Sequence, residues 1–187
     1  MQHSNTNLRP VDVPVLLYLA EHPDAPYAQV AEVLGISTST AHAAHARLIR
    51  SGLAHRVAQA RTEVARGPML EFLQYAVQYM FPATFIPKAR GIPTGLAAPV
   101  LADISHDPEF QDLAVADAPL QVWPSHLGSV SVVGVGILPL IANAPSVASL
   151  DPSLYRWLAL IDVLRGGDVR ARTFARHVLP KLIAALP

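Results

Sequence analysis

Residues 34–56 read LGISTSTAHAAHARLIRSGLAHR, and the interpretation of this stretch decides the fold. Gly35 stands where a tight turn needs a positive φ. Ser37 suits the N-cap of a helix that runs to Arg50 and stops at Ser51-Gly52. Upstream, Pro14 fits the first turn of another helix, in which Val15, Leu16, Leu19 and Ala20 share one face. The run EHPDAPY ends that helix. A short third helix follows from about Tyr27 to Leu34, burying Val30, Ala31 and Leu34. The order is helix, helix, turn, helix. Small Ala31 permits a close crossing, Ile36 fills the space below the turn, and Ala41 and Leu48 lie seven residues apart on the buried side of the last helix.

A unit of this kind presents the N-terminal part of its second helix to the major groove of DNA. Thr38, Ser39 and His42 are expected at base edges, with Ala43 offering apolar contact to a thymine methyl. Ser37, Thr40, Arg47, Arg50, His55, Arg56 and Arg61 are expected at phosphates, which position a protein without reading sequence. His45 stands where a core leucine is usual. A partly buried, hydrogen-bonded histidine is the favoured reading. The rival, a metal site with His42, lacks the three or four ligands that zinc requires, so neither metal nor cofactor is expected.

Between Leu53 and Arg66 the segments LAHRV and TEVAR are expected to pair as a wing, although the intervening AQA is a weak turn. Pro68 opens another helix with an apolar stripe of Met69, Phe72, Leu73, Ala76, Val77 and Met80. Prolines at 82, 87, 93, 99, 108 and 119 mark residues 82–119 as irregular. The stretch LQVWPSHLGSVSVVGVGIL reads as two strands joined near His126–Gly128, a small hairpin or sheet. Asp151-Pro152 begins a helix in which Leu154, Trp157, Leu158, Ile161 and Leu164 share a face and which Gly166-Gly167 ends. Asp168 caps a last helix with Arg170, Arg172, Arg176 and Lys181 outside, which Pro180 is expected to kink or end. The fold class expected is α+β, mainly helical: a flexible segment 1–10, a winged helix-turn-helix at 11–67, and a helical body with a small sheet at 68–187, serving dimerisation or regulation.

Composition narrows the function. The 187 residues are 51% hydrophobic and 15% charged, with no net charge. A chain this apolar needs a large core or an oligomer interface. Without cysteine, disulfides, thiolate metal sites and cysteine nucleophiles are excluded. Charge is uneven: residues 69–150 carry two basic and six acidic groups, whereas 151–187 carry six basic and three acidic. The acidic middle disfavours nucleic acid, and either end permits it. No phosphate-binding loop, G-x-S-x-G or H-E-x-x-H occurs, and GVGILP lacks the third glycine of a dinucleotide fingerprint. No enzyme is expected. The first twenty residues lack a signal-peptide core, and no apolar run is long enough for a membrane span. A cytoplasmic protein without membrane attachment is the expectation.

The segment VAEVLGISTSTAHAAHARLIRSGL resembles the helix-turn-helix of bacterial winged-helix transcriptional regulators. The set LEFLQYAVQYMFPA, RGIPTGLAAPVL, VWPSHLGSV and DPSLYRWLALIDVLRGGDVRAR, in that order, resembles a narrower bacterial subgroup carrying the same unit. The resemblance implies sequence-specific binding of double-stranded DNA, usually by a homodimer, in transcription regulation as a repressor or an activator. The sequence departs from the common pattern at Ala43, where arginine is frequent, and at His45. A second reading makes the body a protein-interaction module, as in an antitoxin-like autorepressor that binds a partner protein. A small-molecule effector is a further option for the body, in a pocket near RGIPTGLAAP and Trp123.

Overall fold

The computed structural model describes residues 7–57, 62–105, 119–126 and 131–187. Helix α1 (Asp12–Glu21) is buried from Asp12 to Ala20, so more than the expected single face is covered. It packs against α3 (Thr38–Arg50) on one side and the long helix α8 (Pro152–Gly166) on the other. Helix α2 (Tyr27–Leu34) ends in Gly35, at φ 62° and ψ 37°, which closes the turn into α3. Ser37 caps α3 by accepting a hydrogen bond from the Thr40 amide, and Gly52, at φ 77°, follows its end. Strands β1 (Ala54–Arg56) and β2 (Thr62–Val64) pair antiparallel, Ala54 opposite Val64, as the expected wing. Its connecting AQA and Arg61 lie outside the described residues.

After the wing, α4 (Arg66–Glu71), a π turn (Phe72–Ala76) and α5 (Val77–Met80) form one continuous helical rod. Met69, Leu73 and Val77 are its buried line, while Met80 is exposed. The segment read as irregular contains the longest strand, β3 (Phe85–Thr94). Its first part pairs antiparallel with β5 (Val132–Ile137), its last part antiparallel with β4 (Gln121–Pro124). Strands β4 and β5 then meet each other in parallel, Gln121 beside Val135, closing a three-stranded barrel. The expected hairpin of β4 and β5 is therefore corrected: each takes β3 as its antiparallel partner. Pro87 falls at the register shift between Ile86 and Ala89. Pro93 pairs only with β4. In those places a missing N–H costs little. Gly91 sits where β3 changes partners, and a Cβ there would stand 1.8 Å from the Trp123 carbonyl oxygen.

Two short 3-10 turns and α6 (Ala102–Ser105) follow β3. Helix α7 (Ala144–Leu150) leads into α8, which is capped by the Asp151 carboxylate accepting from the Leu154 amide. Helix α8 is buried continuously from Trp157 to Leu164 and forms the axis of the molecule. Helix α9 (Val169–Ala184) is capped by Asp168 and continues through Pro180. Proline has no N–H to give the carbonyl four residues earlier. That carbonyl, of Arg176, accepts instead from Gln74 Nε2 at 2.8 Å, while Arg176 Nε donates to the Gln74 carbonyl in the π turn at 3.1 Å. The helix survives its proline because a neighbouring side chain supplies the donor. One hydrophobic core, from Val13 through Leu48 and Val77 to Ile183, joins winged helix and body. The architecture is α+β and mainly helical.

Candidate nucleic-acid interface

Helix α3 has two distinct sides. Ala41, Ala44, His45, Arg47 and Leu48 are buried. Thr38, Ser39, His42 and Ala43 are exposed together on the opposite side, with Ser37 before them and Arg50 at the far end. The structure thus gathers every residue expected at base edges on one accessible face. Ser37 Oγ also meets Ser39 Oγ at 2.9 Å and Thr40 Oγ1 at 2.8 Å, a hydroxyl cluster on the first turn. The His42 ring meets the Tyr27 ring edge-on, with centroids 5.2 Å apart. On the wing, His55 and Arg56 are exposed, and His55 faces Glu63 across the hairpin at 3.6 Å.

Arg47 requires a correction. Read from the sequence as a phosphate contact, it is only 5% exposed. Its Nε and NH2 donate to the two carboxylate oxygens of Asp12 at 2.7 and 2.6 Å. The hydrogen bonds to Asp12 raise its already high pKa, so the guanidinium stays charged and is held inside the protein by its counter-ion. Asp12 also accepts from the Arg9 amide at 2.8 Å. This bidentate pair locks α3 to α1. A charge held bidentately by its counter-ion is the tolerable form of buried charge. Of the expected phosphate-binding arginines, Arg50 and Arg56 are exposed, and Arg61 lies outside the described residues.

His45 is 1% exposed and spends both ring nitrogens on hydrogen bonds: Nδ1 with Tyr27 Oη at 2.8 Å, Nε2 with Thr62 Oγ1 at 2.6 Å. The ring therefore ties α2, α3 and the wing strand β2 at a single point. Burial lowers its pKa, and the charges of Arg56 and His42 lower it further. Desolvation favours the neutral ring. Sequence reasoning missed Asp12, Tyr27 and Thr62, whose roles depend on partners 35, 18 and 17 residues away. A lone aspartate at the head of an apolar helix was the one available signal.

The geometry is that of a winged helix-turn-helix with an accessible second helix. Residues 6–63 match the model of the MarR family, a family of winged-helix DNA-binding transcriptional regulators that are typically dimeric. The match spans the helix-turn-helix and most of the wing, and none of the body beyond. No curated protein and no solved structure matches the chain. Among the described residues, no helix is long and apolar enough to cross a membrane.

Proposed function

We propose that this chain is a sequence-specific transcriptional regulator that binds double-stranded DNA as a homodimer, with the N-terminal half of α3 in the major groove. The observation that carries this reading is the shared exposure of Thr38, Ser39, His42 and Ala43 on a helix whose other side is fixed by Asp12–Arg47 and by His45. The bases are read by hydroxyls, one imidazole and a methyl, with Arg50, Arg56 and the Ser37 and Thr40 hydroxyls beside the phosphates. Neutral hydroxyls dominate this surface. A single subunit therefore releases few counterions and binds weakly, and two subunits on half-sites one DNA turn apart supply the missing affinity.

Selection of bound sequences from random DNA by the full-length protein at ~100 mM salt tests the proposal, since phosphate-driven binding persists at that ionic strength. A palindromic motif with half-sites spaced by about 10 base pairs is the expected result. A folded protein that enriches nothing overturns it.

A partner-protein role has one specific observation in its favour. Tyr75, Tyr79 and Met80 stand exposed on the π turn and α5, at 61%, 79% and 45%. Adjacent exposed aromatics of this kind suit an interface. In the favoured reading this face belongs to the body through which the subunits pair.

A further inference from the structure

Helix α3 is anchored unevenly along its length. Its far half is fixed by Arg47, paired with Asp12 on α1, and by His45, bonded to Tyr27 on α2 and Thr62 on β2. On its first turn the hydroxyls of Ser37, Ser39 and Thr40 bond only among themselves and to the helix backbone. The reading end is therefore held by half-buried Ile36, by buried Ala41 and by the turn at Gly35.

That turn is braced from outside the winged helix. The side chain of Asn143, in the body, lies across Gly35. A Cβ on Gly35 would stand 2.5 Å from its Nδ2, 2.7 Å from its Cγ and 2.9 Å from its Cβ. So close an approach needs glycine, which the φ of 62° there also favours. Asparagine is among the best N-cap residues because its side chain accepts from the first free amides of a helix. Asn143 occupies the N-cap of α7 without making that bond. Its side chain is spent on Gly35. The neighbouring Ile141, Ala144, Pro145 and Val147 are buried, so it projects from a fixed frame. Helix α7 packs against α2 on one side and against β3 and β4 on another. The barrel thus reaches the turn independently of the contact between α1 and α8.

We infer that Asn143 is a positioning residue for DNA reading: through it the body braces the turn and fixes the direction in which α3 begins. Its part in DNA reading rests on the α3 face proposed above, whereas its hold on the turn does not. A shift at Gly35 displaces Thr38 and Ser39, the first of the base-reading set. Arg50 lies beyond the anchors at His45 and Arg47 and stays in place.

Two measurements on the full-length protein test this role. Hydrogen exchange without DNA reads the brace itself. In Asn143→Ala and Asn143→Ser, the amides of Gly35, Ile36 and Thr40 should exchange about tenfold faster, with those of His45 and Leu48 unchanged. Asn143→Ser keeps a residue suited to an N-cap, and unchanged exchange at Val147 shows that α7 remains formed. Asn143→Leu restores branched bulk above Gly35 and should return exchange to the native rate. Competition between the selected DNA site and random duplex reads the consequence. The Ala and Ser variants should lose about tenfold in affinity for the selected site and little for random DNA, because phosphate contacts carry no sequence information. A merely structural role would instead lower Tm and both affinities together. Unchanged exchange at Gly35 and Ile36 in folded Asn143→Ala would overturn the brace. Faster exchange with undiminished preference for the selected site would overturn the role in reading. A native protein without any sequence preference would overturn the DNA reading and Asn143's part in it, while exchange still decides the brace.

Discussion

The winged helix and the body each bury an ion pair, and the two pairs are built differently. In the winged helix, Arg47 and Asp12 come from different helices and bond only at their charged ends and to one backbone amide. In the body, Arg165 and Asp162 lie one turn apart on α8, at 2.7 Å. Asp162 Oδ2 additionally accepts from Thr94 Oγ1 on β3 at 2.9 Å and from Trp123 Nε1 on β4 at 2.5 Å. Arg165 Nε donates to the Phe81 carbonyl at 2.7 Å. The first pair sets the position of one helix relative to another. The second is a junction that holds the barrel on the central helix. The region near Trp123 that the sequence suggested as a pocket is this junction, with Trp123 and Thr94 both buried. Complete burial pushes the Asp162 carboxyl up to about 6, against the lowering influence of Arg165, Trp123, and Thr94.

The comparison can be broken most forcefully at Arg47. Arg47→Ala leaves the Asp12 carboxylate buried and alone, and a loss of about 3–5 kcal/mol in unfolding free energy is expected. Urea denaturation measures it, and the double variant Asp12→Leu with Arg47→Met should recover most of that loss. If Arg47→Ala instead remains fully stable and merely weakens DNA binding, the arginine is a phosphate contact after all.

At the second junction, Asp162→Asn keeps an acceptor for Thr94 or Trp123 but discharges the partner of Arg165. A smaller loss of about 1–3 kcal/mol at pH 7 is expected from denaturant titration. The pH dependence carries the sign. A carboxyl whose folded pKa is raised contributes stability that is present below its unfolded value of 3.8 and is lost as pH rises through about 6. Asp162→Asn should remove that component between those limits.

His45 in the winged helix gives the opposite slope. Its folded pKa is lowered from 6.5, so its contribution is present above 6.5 and is lost as pH falls through the lowered value. Stability measured from pH 7.5 down to 5 should fall in the native protein and fall less in His45→Gln.

Arg50 sharpens the contrast at the surface. Arg50→Ala should leave stability unchanged and reduce the salt dependence of DNA affinity by about one in slope, as expected for a lost phosphate contact. His42→Ala should leave stability and salt slope alone and change preference at one base pair by ~1–3 kcal/mol, read by competition among single-site DNA variants. A loss spread equally over all sequences would remove His42 from the base-reading set.

These contrasts also explain what the sequence disclosed. The helix-turn-helix was legible because its signals are local: Gly35 for the turn, Ser37 for the cap, Ser51-Gly52 for the stop. The exposed face of α3 followed from helical periodicity once Ala41 and Leu48 were placed inside. Arg47 was misjudged because its partner is 35 residues away, and periodicity alone cannot reveal an internal counter-ion. Strand β3 was hidden by Pro87 and Pro93. Its pairing with β5 spans about fifty residues of chain, and strands of that kind are specified by neighbours more than by their own composition. Asp162 was overlooked within LALIDVL, where a single carboxylate in an apolar helix was itself the clue.

The exchange between Gln74 and Arg176 has a consequence for how the molecule comes apart. Two helices that depart from ideal geometry, one by a π turn and one by a proline, complete each other's hydrogen bonding across their contact. Separated, the last helix would leave the Arg176 carbonyl without its donor, and the Arg176 side chain would lose its acceptor on the rod. The last helix and the rod after the wing should therefore open together as one cooperative unit in hydrogen exchange, with amides of residues 171–179 and 73–77 sharing a single opening free energy.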